Sequence, residues 1–142
     1  MTRMTRDQAM AKLTAGIDAD LAASSSMLEL LERQFDAALR HQSAQLAELA
    51  GLLMPALEAM EQRRVQRVSL VRALLGPDGD MAKLIASVAA PARAKLAADW
   101  HALEQMVLEC KRLNARNSAL LTEQYSIMQR VLHGEEQIYA PR

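Results

Sequence analysis

The chain has 142 residues, with 17 basic and 17 acidic side chains, one cysteine and only 3% aromatic residues. A chain of this length can bury one core without metals, a single cysteine excludes an intramolecular disulfide, and zero formal charge gives no global field to attract nucleic acid or anionic lipid. Ala, Leu, Glu, Lys and Arg make up more than half of the residues. This composition is typical of long helices with a narrow aliphatic core, and we expect one domain.

The first helix is predicted over residues 5–40, where apolar or small residues recur every three or four positions. The serines at 24–26 cost some helix propensity, but their small side chains would let a neighbouring helix come close. The positions of this stripe are Met10, Leu13, Ile17, Leu21, Ser24, Leu28, Leu31, Phe35 and Leu39.

The second helix is predicted to begin at Ser43, which can act as its cap, and to end at Gly76. Pro55 lies inside this segment. Because the apolar pattern resumes beyond Pro55, we expect a kink there and no end of the helix.

The segment GPDGD at residues 76–80 has the composition of a turn, and Asp80 can cap a short helix over 81–89. Pro91 suits the first turn of a last helix over 92–133, with Gly134 as its stop and 135–142 as a flexible tail. The predicted fold class is therefore all-α. We expect an antiparallel bundle of three long helices plus one short helix, with coiled-coil-like packing, in a single domain over 1–134.

Candidate catalytic and metal-binding residues form no constellation. His41, His101 and His133 all lack the Glu-x-x-His spacing of a bundle metal site. Cys110 lies on an apolar stripe, where a thiol usually behaves as a small hydrophobic group. We expect no enzyme activity, no metal and no cofactor.

Two basic segments are interpreted as solvated faces, balanced by glutamates at ion-pair spacing. No aromatic residues interleave with them, so a nucleic-acid partner is not expected. The segments are Arg63, Arg64, Arg67 and Arg72 in the second helix, and Lys111, Arg112 and Arg116 in the last.

The compartment is predicted from what the sequence lacks. MTRMTRDQAMAK at the start has no apolar signal-peptide core, and charge-free runs such as LAGLLMPAL at 49–57 are too short to span a bilayer. We expect a cytoplasmic protein without membrane insertion.

Two asparagines interrupt the apolar stripe of the last helix. Counting from Trp100 in steps of three and four places Asn114 and Asn117 where aliphatic side chains are expected. A buried amide needs hydrogen-bond partners, so the pair either sets the register of the bundle or positions an incoming helix. A second apolar row lies beside the stripe and makes this face wide enough for two neighbouring helices. Its members, spaced seven residues apart, are Met106, Leu113, Leu120 and Ile127.

The segment from Trp100 through Leu113-Asn114 to Asn117 resembles the signature of the FlgN family of flagellar export chaperones, in which a tryptophan precedes Leu-Asn-x-x-Asn. LELLERQFDAAL at 28–39 and RALLG at 72–76 are also similar in arrangement. Ser118 stands where the family usually has glycine.

This resemblance implies a cytosolic chaperone that binds disordered C-terminal segments of hook-filament junction proteins and delivers them to the flagellar type III export gate, with the export ATPase complex as a further partner. Tyr139 in the tail is the expected contact for the export machinery. The alternative is a structural coiled-coil adaptor that forms a homodimer through the same face. The expected partner-binding residues are Leu113, Asn114, Asn117, Leu120, Leu121, Ile127 and Met128.

Overall fold

Four helices make up the part of the chain that the computed structural model describes, which is the backbone of residues 4–139 and the side chains of residues 4–134. They are α1 (Arg6–Leu39), α2 (Ser43–Leu75), α3 (Met81–Ser87) and α4 (Ala92–Tyr139). The three long helices pack together, with α1 against both α2 and α4. The predicted all-α bundle is confirmed.

Most helix boundaries follow from local chemistry. Thr5 caps α1 in a reciprocal capping box with Gln8, and the Asp80 carboxylate accepts a 2.8 Å hydrogen bond from the Lys83 backbone N–H to cap α3. The helix α2 continues through Pro55, as predicted. The prediction that Ser43 caps α2 is wrong, because Ser43 is its first helical residue and Gln42 precedes it without a side-chain cap.

The turn between α1 and α2 contains a non-glycine residue with a left-handed backbone. His41 has φ of 55°, and its backbone N–H donates to the Ala38 carbonyl, 3.2 Å away. Glycine adopts this conformation without the steric cost of a Cβ atom. We expect His41→Gly to raise the free energy of unfolding by about 0.5–1 kcal/mol in urea denaturation.

A matched variant separates the backbone effect from loss of the imidazole. His101 is exposed in the interior of α4, where glycine is unfavourable. His101→Gly should therefore lower stability by about 0.3–0.5 kcal/mol. A loss of stability in His41→Gly as well would show that the imidazole itself supports the turn.

The predicted end of α4 at Gly134 is wrong, because the helix continues to Tyr139. A glycine ends a helix when it takes the left-handed conformation, and Gly76 is the only described glycine that has positive φ. Within a helix, glycine costs about 1 kcal/mol relative to alanine, which does not terminate it. The side chain of Tyr139 lies outside the described residues.

The three long helices alternate in direction. Residues that hydrogen-bond between α1 and α4 are separated by 86 residues at three successive contacts, so these two helices run parallel in constant register. The helix α2 returns antiparallel to both. Among the described residues, no Cα atom of α2 comes within 8 Å of one in α4, and α3 packs against both at one end. An open cleft therefore separates α2 from α4.

The core has two clusters along α1. The buried residues of the cluster near α3 are all aliphatic, and the second cluster lies further along the bundle and includes the thiol of Cys110. The buried members of the first are Ala9, Leu13, Ile17, Leu70, Val71, Leu84, Leu96 and Leu103; those of the second are Met27, Leu31, Leu53, Cys110 and Leu113.

Candidate functional site

The interface between α1 and α4 carries polar contacts at three residues of α4 that are spaced seven apart. Cys110 Sγ lies 3.8 Å from the Ser24 carbonyl oxygen, Asn117 Nδ2 lies 2.8 Å from that of Leu31, and Gln124 Nε2 lies 2.9 Å from that of Ala38. Ser24 is fully buried, as expected if its small side chain admits a neighbouring helix. These repeated contacts fix the register of the two parallel helices.

Asn117 is an internal structural residue of the bundle. It is 1% exposed, and its Nδ2 also donates to Gln34 Oε1 at 2.9 Å. Its Oδ1 accepts from Arg116 Nε at 3.2 Å. Because the donors and the acceptor of the amide are all engaged within the bundle, Asn117 sets its register.

Asn114 occupies a different environment. It is exposed and lines the cleft between α2 and α4 beside Lys111. The prediction that both asparagines lie on the buried stripe is therefore wrong for Asn114. Leu113 takes the buried position there, and adjacent helical residues are separated by about 100° around the axis.

The structure divides the other predicted partner-binding residues by burial. Leu113 is 2% exposed and packs in the second core cluster, while Leu120 and Leu121 are half-buried. Ile127 and Met128 are 45% and 58% exposed. Of these five, Ile127 and Met128 have the most apolar surface free for a partner.

Ile127 and Met128 lie where α4 extends beyond the end of α1. Gln124 contacts Ala38, one residue before the end of α1, so α4 residues 126–139 have no α1 residue opposite them. We call this segment the overhang. Its exposed large hydrophobic side chains among the described residues are Ile127, Met128, Val131 and Leu132.

The cleft between α2 and α4, which we call the groove, is apolar along most of its length. Its central part has a volume of about 530 Å³, and an adjoining part of about 260 Å³ leads towards Asn114. Asp20, Met27 and Leu31 of α1 form the floor. The apolar walls common to both parts are Leu57, Met60 and Val107.

The groove and the overhang lie on the same side of α4. Val107 and Asn114 line the groove, and Leu121 and Met128 follow at the same seven-residue interval. Residues seven apart project in nearly the same direction from a helix. A partner helix could therefore contact the overhang and enter the groove without changing sides.

A buried ion-pair cluster was not predicted from the sequence. Asp20 is 2% exposed, and its two carboxylate oxygens accept from Arg63 Nε at 2.5 Å and from Arg67 Nη1 at 2.7 Å. The Arg67 guanidinium also lies 5.2 Å from the centre of the Trp100 ring, an attractive cation–π contact. The interpretation of Arg63 and Arg67 as solvated is wrong, because together they neutralise a buried carboxylate that links α1 to α2.

The spacing of the buried residues in α1 is the sequence signal for this ion-pair cluster. Buried positions 13, 17, 20, 24, 27 and 31 alternate by four and three residues, and this series passes through Asp20 instead of Leu21. An aspartate in such a stripe requires buried cationic partners.

Other charged groups behave as surface residues. Arg64 and Arg112 pair with Glu61 and Glu109 one turn away, and hydrogen bonds from these arginines lower the pKa of both glutamates. Arg116 differs: its guanidinium lies 3.8 Å from the centre of the Phe35 ring, so it is packed on α1 and is not fully solvated.

Among the described residues, the Cys110 thiol is buried and the potential metal ligands are dispersed. Burial raises the pKa of the Cys110 thiol, which favours the unreactive protonated form. No group of three His, Cys, Asp or Glu side chains in the described part is placed to hold a metal ion. The exposed apolar surfaces are instead suited to binding another polypeptide.

Comparison with protein families gives a match to the model described as FlgN protein over residues 4–134. The chain belongs to the FlgN family. Proteins of this family are flagellar export chaperones. Searches of curated proteins and of solved structures gave no match. Within the described residues, no helix is long and apolar enough to cross a membrane.

Leu113 and Asn117, which carry part of the resemblance to FlgN proteins, are buried in this bundle, while Trp100 is half-buried and lines the groove. Trp100 contacts Arg67, Leu113 is in the core, and Asn117 sets the α1–α4 register. Of the Leu, Asn and Asn residues that define the Leu-Asn-x-x-Asn motif, only Asn114 is exposed in the groove. Most of this motif therefore holds α4 against α1 beneath the groove.

Proposed function

We propose that this FlgN-family chain is a cytoplasmic type III export chaperone for hook-filament junction proteins. It binds their disordered C-terminal segments, prevents premature assembly and delivers them to the flagellar export gate. The overhang is the observation that best supports this proposal, because four large apolar side chains there are 45–58% exposed. Apolar surface of this extent on a helix is typical of a site that binds another helix.

Binding energy alone would drive the chaperone's action. An amphipathic substrate segment would fold on the overhang, with Ile127 and Met128 as apolar anchors and half-buried Leu120 and Leu121 at the edge. Burial of apolar surface contributes roughly 25 cal/mol per Å². The cost of ordering the segment offsets part of this gain, so affinity stays moderate and release at the gate is feasible.

The roles of the buried predicted residues change within this proposal. Leu113 and Asn117 would act on binding indirectly, since they hold α4 against α1. Asn114 keeps a direct role because it is exposed in the groove. Tyr139 remains the proposed contact for the export machinery.

We expect Ile127→Asp to weaken binding of a junction-protein C-terminal segment at least tenfold, measured by isothermal titration calorimetry. The substitution removes an apolar anchor and places a charge in the interface, and each effect costs at least about 1 kcal/mol. The thermal unfolding midpoint should be unchanged, because Ile127 is exposed on the overhang.

Ser126→Asp is the matched control, since it adds the same charge to a neighbouring exposed position. It should bind within about twofold of the unmodified chain. Equal weakening in both variants would show a general charge effect and would remove the overhang from the site. A constitutive dimer by sedimentation, together with no segment binding, would favour the homodimeric adaptor.

A further inference from the structure

The end of the groove beside α3 is basic. A cavity of about 360 Å³ there is lined by Arg64, Arg67 and Arg72, with Trp100 on the α4 side. It shares Arg64, Arg67 and Trp100 with the central part of the groove, so the two are continuous. Gly79, Asp80 and Met81 close this end.

The three arginines differ in how far their charges are already paired. Arg67 shares Asp20 with Arg63, and Arg64 pairs with Glu61 on the surface. Arg72 forms no ion pair with any described residue. One carboxylate, Asp80, lines this cavity from the α3 side; it accepts the Lys83 backbone N–H but keeps its negative charge, so the lining holds three positive charges and one negative charge. A net positive charge is therefore available at the closed end.

The dimensions of the groove fit one helix. Its α2 wall extends from Leu53 to Val71, about 27 Å at 1.5 Å per residue, which matches a helix of about 18 residues. The apolar walls form the middle, and α1 lies beneath as the floor. A helix placed there would complete a four-helix bundle.

We propose that the groove binds the C-terminal helix of an export substrate, carboxyl end first, with the terminal carboxylate at Arg72. A helix carries partial negative charge at its C-terminus, and a free carboxylate adds a full charge, so both favour the basic end. Since the turn before α3 closes this end of the groove, a bound helix can end there but cannot continue past it. The substrate helix then runs parallel to α2 and antiparallel to α4. The choice of occupant rests on the proposed function.

The test compares two forms of one junction-protein C-terminal segment, the free acid and the C-terminal amide, by calorimetry against the full chain. We expect amidation to weaken binding five- to tenfold for the unmodified chaperone and less than twofold for Arg72→Gln. Such coupling identifies a direct contact between the carboxylate and Arg72. Arg33→Gln, which changes an exposed arginine on α1 outside the groove, should retain the full amide effect.

A second pair of variants tests whether the helix occupies the groove. Val107 and Val65 are 42% and 53% exposed, but only Val107 lines the groove. Val107→Asp should weaken binding at least tenfold, and Val65→Asp less than twofold. If amidation weakened binding equally in Arg72→Gln and in the unmodified chain, the proposal would be overturned. Unchanged binding to Val107→Asp would also overturn it. In either case the proposed function would stand. If neither form of the segment bound the unmodified chaperone, the proposed function and this inference would both be wrong.

Discussion

Replacement of Asp20 by asparagine is expected to lower the free energy of unfolding by about 3 kcal/mol. The substitution keeps the size of the side chain but leaves the guanidinium groups of Arg63 and Arg67 without a counter-charge, at side-chain exposures of 24% and 13%. Removal of one partner from a buried ion pair typically costs about 3–5 kcal/mol, and partial exposure of the arginines places this case at the lower end. Urea denaturation monitored by helical circular dichroism measures the change.

Two further variants separate this mechanism from a general effect of charge. Asp18 is exposed on the same helix, so Asp18→Asn should change stability by less than about 0.5 kcal/mol. Combined replacement of Asp20 by leucine and of Arg63 and Arg67 by methionine should restore much of the loss, because no unpaired charge remains. If Asp20→Asn cost under about 1 kcal/mol, the arginines would have to reach solvent without it, contrary to the packing described.

The second large effect is expected at Asn117. Asn117→Asp replaces the donor that faces the Leu31 carbonyl and Gln34 Oε1 with a carboxylate oxygen at a position that is 1% exposed. The neighbouring Arg116 compensates only in part, since it contacts the opposite side of the amide. We expect a loss of about 3 kcal/mol in the free energy of unfolding at neutral pH.

The pH dependence of this variant has a defined sign. A protonated aspartic acid can donate to the Leu31 carbonyl, so the deficit of Asn117→Asp relative to the unmodified chain should shrink as the pH falls. Asn114→Asp is the matched control, because Asn114 is exposed three residues earlier. It should lose less than about 0.5 kcal/mol at either pH. Equal losses at both asparagines would contradict the internal role of Asn117.

The helices could be predicted from sequence because their boundaries depend on neighbouring residues. Asp80 caps α3, Gly76 ends α2 with a positive φ, and Ala92 begins α4, all within a few residues of the signals that predict them. The end of α4 is the exception. A glycine permits a helix to stop but does not force it to, and Gly134 is a helical residue in this chain.

The candidate site was less predictable because it depends on rotational phase. A shift of one residue turns a side chain by about 100°, which is enough to exchange a buried position with an exposed one. This difference separates Leu113 from Asn114, and Asp20 from the predicted Leu21. Hydrophobic periodicity fits either rotational phase where apolar residues are adjacent in the sequence, as they are in α1 and α4.

The extent of the exposed surface could not be predicted from the sequence, because it depends on contacts between residues that are far apart in the chain. The overhang exists because Gln124 is level with Ala38, a register that no local pattern in α4 reveals. The groove likewise exists because α1 lies between α2 and α4, which leaves those two helices apart. Sequence periodicity indicated a wide apolar face, and the tertiary register determined which part of it stays open.

The constant separation of 86 residues between α1 and its contacts on α4 also has a consequence during synthesis on the ribosome. The helix α1 is completed first, and the arginines that neutralise Asp20 follow within 47 residues, so a hairpin of α1 and α2 can form early. The interface between α1 and α4 can form only after most of α4 has been synthesised. Until then, the side of α1 that faces α4, which includes Ser24, lacks its partner helix, and the nascent chain itself presents the kind of apolar helical face that a chaperone recognises.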